Sequence, residues 1–228
     1  TSSTMEKVVE LYGFAVSPPT RATMMTCEAL GIQYKLNVLN VLVNQHKQPE
    51  YLKLNPIASI PTLVDDDYVL FDSHAMSSYL CNAYGKEDKW YPKEPRLRGI
   101  VDQRLHFDNG VLGPSFKSVG VPILFGQLPD PSLVLKLKDA LLDLDKLLGD
   151  GQYIALDWPT IADCHCSVPA MSAELVLPQF LTPRITAWLR RCEKALPGWN
   201  KVHDPAVEQM KALFSSVDLS KLMPSSNQ

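Results

Sequence analysis

Every strand-like run in this chain lies before residue 72, and beyond Gly85 the apolar residues recur only at helical spacing. Such a chain must build one small sheet near its start and everything else from helices. Val8-Val9-Glu10-Leu11-Tyr12 is a β-rich run closed by Gly13. Ser17-Pro18-Pro19 then opens a helix that ends near Gly31, because a hydroxyl at the N-cap and prolines in the first turn suit a helix start. Tyr34 to Asn40 reads as a second strand and Pro49 to Leu54 as a short helix. Leu63-Val64 and Tyr68 to Phe71, on either side of Asp65-Asp66-Asp67, read as a hairpin. Asp72-Ser73 begins a helix with Met76, Tyr79, Leu80 and Ala83 on one face, stopped by Gly85.

After the loop from Lys86 to Pro95 the strand signals vanish. Leu97, Ile100, Val101, Leu105, Val111 and Leu112 fall near helical spacing, and Pro114 and Pro122 are expected to kink or interrupt the helical path beyond them. Asp130-Pro131 starts a helix carrying Leu133, Leu137, Leu141, Leu144 and Leu148 on one stripe. Further helices fit Thr160 to Ala173, Arg184 to Leu196 and Pro205 to Phe214, and the last dozen residues read as a frayed polar tail. The expected division is an α/β unit over residues 6–85, an all-α unit over 93–216 and a tail over 217–228.

Composition narrows the function. With 22 Lys+Arg against 25 Asp+Glu among 228 residues, the chain lacks the basic excess that a nucleic-acid binder uses against phosphates. No apolar run approaches the ~20 residues of a membrane span, the charged start lacks a secretory apolar stretch, and five Cys without a tight framework read as reduced thiols. The expected setting is cytoplasmic. Thr1-Ser2-Ser3-Thr4 ahead of Met5 reads as a fusion scar.

The chemistry concentrates at turns. In Asn55-Pro56-Ile57-Ala58-Ser59-Ile60-Pro61-Thr62, the Ile60-Pro61 bond just before a strand is a candidate cis peptide. Asp72 and Ser73 begin a helix, where free N–H groups and the helix dipole can hold a carboxylate. Together with Leu11-Tyr12-Gly13, Ser17-Pro18-Pro19-Thr20-Arg21-Ala22, Asp72-Ser73-His74-Ala75, Leu105-His106-Phe107-Asp108 and Thr160-Ile161-Ala162-Asp163, these segments resemble the cytosolic glutathione S-transferases, above all the insect Delta and Epsilon classes. The resemblance covers nearly the whole chain, with the motifs in the family's order.

The resemblance implies a thioredoxin-like domain followed by an all-helical domain, glutathione as cosubstrate, small apolar electrophiles as the second substrate, and a homodimer without nucleic-acid or membrane partners. It makes Ser17 the catalytic hydroxyl that donates to the glutathione thiolate. The magnitudes are adequate. A thiol of pKa ~8.5 is about 3% ionised at pH 7, and lowering it by ~2 units takes about 2.7 kcal/mol. One hydrogen bond to a charged acceptor supplies roughly 1.5–3 kcal/mol, and the helix start adds about 0.3–1 kcal/mol. By the same resemblance His46, Ile60, Pro61, Asp72, Ser73, His74 and Lys117 serve glutathione, with Ser73 on the γ-glutamyl carboxylate and Asp72 on its amine. Val41, Phe116, Leu124 and Phe125 line the electrophile site.

The chain also departs from the family. Ala58 stands where the family usually has His, and Lys117 where many Epsilon members have Arg, so glutathione is expected to bind more weakly. Gly113 and Gly120 replace aromatics of close relatives, which implies a wider electrophile pocket. A carrier of apolar ligands with the same fold is therefore the alternative. No metal is implied: Cys164 and Cys166 of Asp163-Cys164-His165-Cys166 point about 200° apart on a helix and cannot share an ion. Asp163 instead completes a capping box with Thr160, and Cys27 lies inside a helix rather than at its start, away from the setting a redox thiol needs.

Overall fold

The computed structural model describes residues 7–222, so Thr1-Ser2-Ser3-Thr4 and residues 223–228 lie outside the described residues. Strand β1 (Val8–Gly13) leads into helix α1 (Pro18–Leu30), β2 (Gln33–Val38), the short α2 (Pro49–Leu52), β3 (Thr62–Asp65), β4 (Tyr68–Phe71) and α3 (Ser73–Tyr84). The strands form one mixed sheet in the order β2-β1-β3-β4, with β1 parallel to β2 and antiparallel to β3. Strand β1 is central, and Val9 and Leu11, pointing to one face, are fully buried. Gly31 stops α1 at φ 67°, donating to the carbonyls of Cys27 and Glu28 as a C-cap glycine does.

The rest is helical: α4 (Pro95–Phe107), a π turn (Asp108–Leu112), α5 (Gly113–Leu124), α6 (Pro131–Leu148), α7 (Ile161–Val176), α8 (Pro183–Ala195) and α9 (Trp199–Phe214). Helix α7 is the pillar, buried along nearly its whole length, and α1 packs on it from the sheet side. One continuous apolar core runs from β1 through α7 to α9. The fold is thus a thioredoxin-like α/β unit followed by an all-helical one.

Several expectations need correction. Pro114 does not interrupt the path: it sits in the first turn of α5, and the π turn carries the chain from α4 into α5 with helical backbone on both sides. Pro122 lies in the last turn of α5, and Phe125 N–H closes the end on the carbonyls of Val121 and Pro122. Helix α9 starts at Trp199, six residues ahead of Pro205, behind the N-cap Gly198. Gly198 has φ 72°, and a Cβ there would lie 2.4 Å from the Glu28 side chain, so only glycine fits both the turn and the neighbour. Ala83 is exposed, and α3 turns Ser73, Met76, Ser77 and Leu80 inward instead. On α6, Val134 rather than Leu133 completes the buried stripe. Residues 217–222 are not frayed: Val217 and Leu222 are buried in the core.

Candidate active site

The sheet register gathers the site. Tyr12 pairs with Thr62, Thr62 with Phe71, and Gly13 with Val38. The segments following β1, β2 and β4 and the segment preceding β3 therefore all emerge at one end of the sheet. Those four segments carry Ser17, then Val41 and His46, then Asp72, Ser73 and His74, and finally Ile60 and Pro61. Residues scattered over about sixty positions of sequence meet at one sheet end because strand pairing leaves them nowhere else to go.

Ser17 occupies the N-cap of α1 with extended backbone and is half-buried, yet its hydroxyl makes no cap bond. The caps Asp72, Glu94, Asp130, Thr160 and Thr182 all accept backbone N–H groups. Ser17 alone among these acidic and hydroxyl caps keeps its side chain unspent, at a helix start where backbone donors and the dipole favour an anion.

The Ile60–Pro61 bond is cis. The loop before it is braced from within: Asn55 Nδ2 donates to Ser59 O (2.9 Å), Asn55 Oδ1 accepts from Ile57 N–H (3.0 Å), and Tyr51 Oη donates to Ser59 O (2.5 Å). Ala58 sits in this loop at φ 56°, the left-handed region. Buried Pro61 and half-buried Ile60 face the end of β1 that leads to Ser17.

Asp72 holds φ 75°, costly for a non-glycine residue. Its Oδ1 accepts from the backbone N–H groups of His74 (3.0 Å) and Ala75 (3.1 Å). The His74 side chain and these backbone donors hold the Asp72 carboxyl well below the usual carboxylate range, against the opposing effect of burial. Burial alone would lower the His74 pKa, but the carboxylates of Asp108 and Asp72 outweigh it and raise it to about 9. Ser73, the first residue of α3, is buried. His46 is half-buried on a 3₁₀ turn, and burial followed by the Lys47 charge pushes its pKa down.

The α5 residues fare differently. Phe116 is 5% exposed and belongs to the core, whereas Leu124 is half-buried and Phe125 and Lys117 are exposed. Gly113 and Gly120, from which a wider pocket is expected, both lie against neighbouring atoms. A Cβ on Gly120 would meet the Phe116 ring at 3.0 Å, so that ring already fills the space. A Cβ on Gly113 would meet the Asp108 carbonyl at 2.9 Å, so this glycine serves the π turn.

Asp163 accepts from the backbone N–H groups of Thr160 (2.9 Å) and Ile154 (2.9 Å) and from Trp188 Nε1 (3.0 Å), completing the capping box. Burial drives the thiols of Cys27, Cys164 and Cys166 upward, which leaves them inert. Sequence reasoning missed the partnership of His74, Asp108 and His165. The rings of His74 and His165 stack with centroids 4.1 Å apart, and His74 Nε2 lies 2.8 Å from Asp108 Oδ2. No spacing rule links three residues on α3, the π turn and α7.

A thioredoxin-like sheet followed by an all-helical unit, with a hydroxyl cap, a cis proline and an acidic helix cap at one end of the sheet, is the architecture of the glutathione-handling enzymes. Comparison with known proteins agrees. Residues 11–88 match the family described as the N-terminal domain of glutathione S-transferase. Glutathione S-transferase 1 of Manduca sexta is 36% identical over 216 residues, covering 92% of this chain and 98% of that protein. A delta-class glutathione transferase of Nilaparvata lugens superposes with TM-score 0.84 at 33% identity, covering 91% of this chain and 99% of the other. An epsilon-class enzyme of the housefly Musca domestica gives 0.82 at 32% identity, covering 91% and 97%. The chain belongs to the glutathione S-transferase family, on its insect delta/epsilon side, and is a transferase.

Proposed function

We propose that this glutathione transferase ionises its cosubstrate on Ser17 and delivers the thiolate to small apolar electrophiles, most simply in a detoxification step. The observation that carries the reading is the uncommitted Ser17 hydroxyl at the start of α1. Donating its proton to the sulfur costs no existing cap bond, so the full ~1.5–3 kcal/mol of a charge-assisted bond is available to the anion. The thiolate attacks the electrophilic carbon, a C–S bond forms, and a leaving group departs or an acceptor double bond takes the electron pair and a proton. No general base is required once the thiol is ionised.

In this reading Asp72 binds the γ-glutamyl amine, Ser73 and the α3 N–H groups bind its carboxylate, and the Ile60 backbone pairs with the cysteinyl unit. His46 and Lys117 serve the glycyl carboxylate, and Val41, Leu124 and Phe125 keep enough surface to meet an electrophile. Residues 6–85 form the glutathione domain and 93–216 the electrophile domain. The carrier alternative keeps only Ala58 as an argument, because the two glycines of α5 face neighbouring atoms.

Two copies are proposed to assemble. Edge strand β4 exposes Val69 (36%) and Phe71 (41%) on one side and Tyr68 (45%) on the other, apolar surface that a monomer would leave in water. A cytoplasmic setting is supported by five free cysteines and by the absence of any described helix long and apolar enough to cross a membrane. A crystal soaked with glutathione tests the central point: the sulfur is expected within hydrogen-bond distance of Ser17 Oγ. A sulfur seated elsewhere would remove Ser17 from the mechanism.

A further inference from the structure

The hydrogen-bond chain behind the first turn of α3 fits one tautomer of His165. Thr26 has one hydroxyl proton, and it goes to the Ala22 carbonyl (3.0 Å). With that proton so placed, Ser77 donates to Thr26 Oγ1 (2.9 Å), which leaves Ser77 Oγ as the acceptor for His165 Nε2–H (2.8 Å). His165 is 1% exposed, and its remaining nitrogen, Nδ1, is a bare lone pair with no partner. That lone pair lies 3.7 Å from Asp108 Oδ2, and Asp108 Oδ1 is also buried without a partner. This pair of buried side chains thus leaves one nitrogen and one oxygen without a partner, a cost that a bound cation would remove.

On the other side His74 Nε2–H donates to Asp108 Oδ2 (2.8 Å), a proton that an incoming ion would replace with release to solvent, and the three ligating atoms lie within 4.8 Å of one another. The outer nitrogens have neighbours of the kind metal-ligating imidazoles usually have: His165 Nε2–H donates to the Ser77 hydroxyl, and His74 Nδ1 lies 3.6 Å from the Asp72 carboxylate. We propose that His74 Nε2, His165 Nδ1 and Asp108 Oδ2 form a site for one divalent ion of the zinc class, where α3, the π turn and α7 meet. Two imidazoles and one carboxylate select a borderline ion over magnesium or calcium, and three protein ligands leave a fourth position for water. The expectation that no metal is implied rests on Cys164 and Cys166 alone; His165, their neighbour, finds its partners on other elements.

The test is titration of the metal-free full chain, reduced with a non-chelating phosphine and free of glutathione, with Co²⁺ and then Zn²⁺. One equivalent of Co²⁺ is expected to give a visible ligand-field band without thiolate-to-cobalt charge transfer, and Zn²⁺ is expected to displace it. Asp108→Asn and His165→Gln should each weaken binding more than about 100-fold, and Ser77→Ala, which keeps all three ligands but frees the tautomer, about 10-fold. Far-UV circular dichroism and the melting midpoint of the metal-free variants report whether they fold. If the buried variants do not, His74→Gln on the half-buried ligand and X-ray absorption of the wild-type zinc complex, read for nitrogen and oxygen without sulfur, decide the matter. Absence of stoichiometric binding, a sulfur-ligated ion, or undiminished affinity in His74→Gln or Asp108→Asn overturns the proposal.

Discussion

Helices α1 and α7 both begin with a hydroxyl residue, lie side by side in the core, and use that residue in opposite ways. At α7 the Thr160 hydroxyl accepts the Ala162 N–H, and Asp163 reaches back to Thr160 while also holding Ile154 and Trp188. Every donor named at that helix start is answered from within the protein. At α1 the Ser17 side chain answers none. A helix start that satisfies itself contributes to folding, and one left open can satisfy something else. The difference cannot be read from residue type, since Ser and Thr are both good caps.

Exchanging the roles experimentally is the strongest attack on this contrast. Asp163→Ala strands the backbone N–H groups of Thr160 and Ile154 and the Trp188 indole N–H in a fully buried setting. At roughly 1–3 kcal/mol for each unsatisfied group, the loss of stability should exceed about 3 kcal/mol by urea denaturation, while kcat per folded molecule stays near the wild-type value. Asp163→Asn, which keeps an acceptor, should cost less.

Ser17→Ala should show the converse. Conjugation of a chromogenic electrophile at neutral pH is expected to fall about 10- to 100-fold, the equivalent of one charge-assisted bond. The rising, acid-side limb of the pH–rate profile should move up by about 1–2 pH units, and the stability from urea denaturation should hold within about 0.5 kcal/mol, since no cap bond is lost. If Ser17→Ala costs stability instead of rate, the contrast between the two helix starts is wrong.

This pair also shows what is legible in a sequence and what is not. Ser17-Pro18-Pro19, Asp72-Ser73 and Thr160 with Asp163 announce their helices because caps and first-turn prolines act locally, and the strand runs before residue 72 are equally local. A local rule places the start of α9 at Pro205, whereas the real start depends on Glu28 lying against Gly198 from α1. The expected pocket at Gly120 fails for the same reason: a missing side chain tells nothing of which neighbour has moved in, and Phe116 has. The stacked His74 and His165 lie 91 positions apart in sequence and meet only through tertiary packing. Local chemistry is legible, and contacts decided by a distant element are not.

Below its open end α1 is sealed by the helical unit, and acid should reveal that seal. Arg21, one turn beyond Ser17, is fully buried with neutral partners: Ser172 Oγ at 2.6 Å and His203 Nδ1 at 3.4 Å. Burial, followed by the Arg21 charge, lowers the His203 pKa to about 2. The folded protein therefore refuses a proton that the unfolded chain accepts below about pH 6.5. His203 costs nothing above that pH, and stability is lost as the pH falls toward the folded value, by up to about 1.4 kcal/mol per unit. His203→Asn, which keeps an acceptor for Arg21, should flatten the dependence of urea stability on pH between about 6 and 4.5 by that slope. An unchanged slope would mean that the His203 pocket opens to water before the rest unfolds.

The smallest effect concerns the rim of the open site, where Ala58 stands at φ 56°. This backbone region penalises any Cβ, yet among non-glycine residues His is several-fold enriched there, so Ala58→His adds a long polar side chain at little backbone cost. The residue is half-buried beside the Ile60–Pro61 turn, and Asn55 and Tyr51 hold the loop from inside, so the new imidazole should point outward without disturbing the brace. One added, solvent-screened contact to the glycyl carboxylate corresponds to about 0.5–1 kcal/mol, roughly a two- to five-fold fall in the Kd for glutathione by calorimetry with kcat nearly unchanged. The gain should shrink as pH rises through the range where an exposed imidazole loses its proton, because only the charged ring pairs with the carboxylate. A Kd that does not move at about pH 6, where that ring is largely charged, would mean that the glycyl end is already held by His46 and Lys117, and that the departure from the family at Ala58 is compensated rather than felt in affinity.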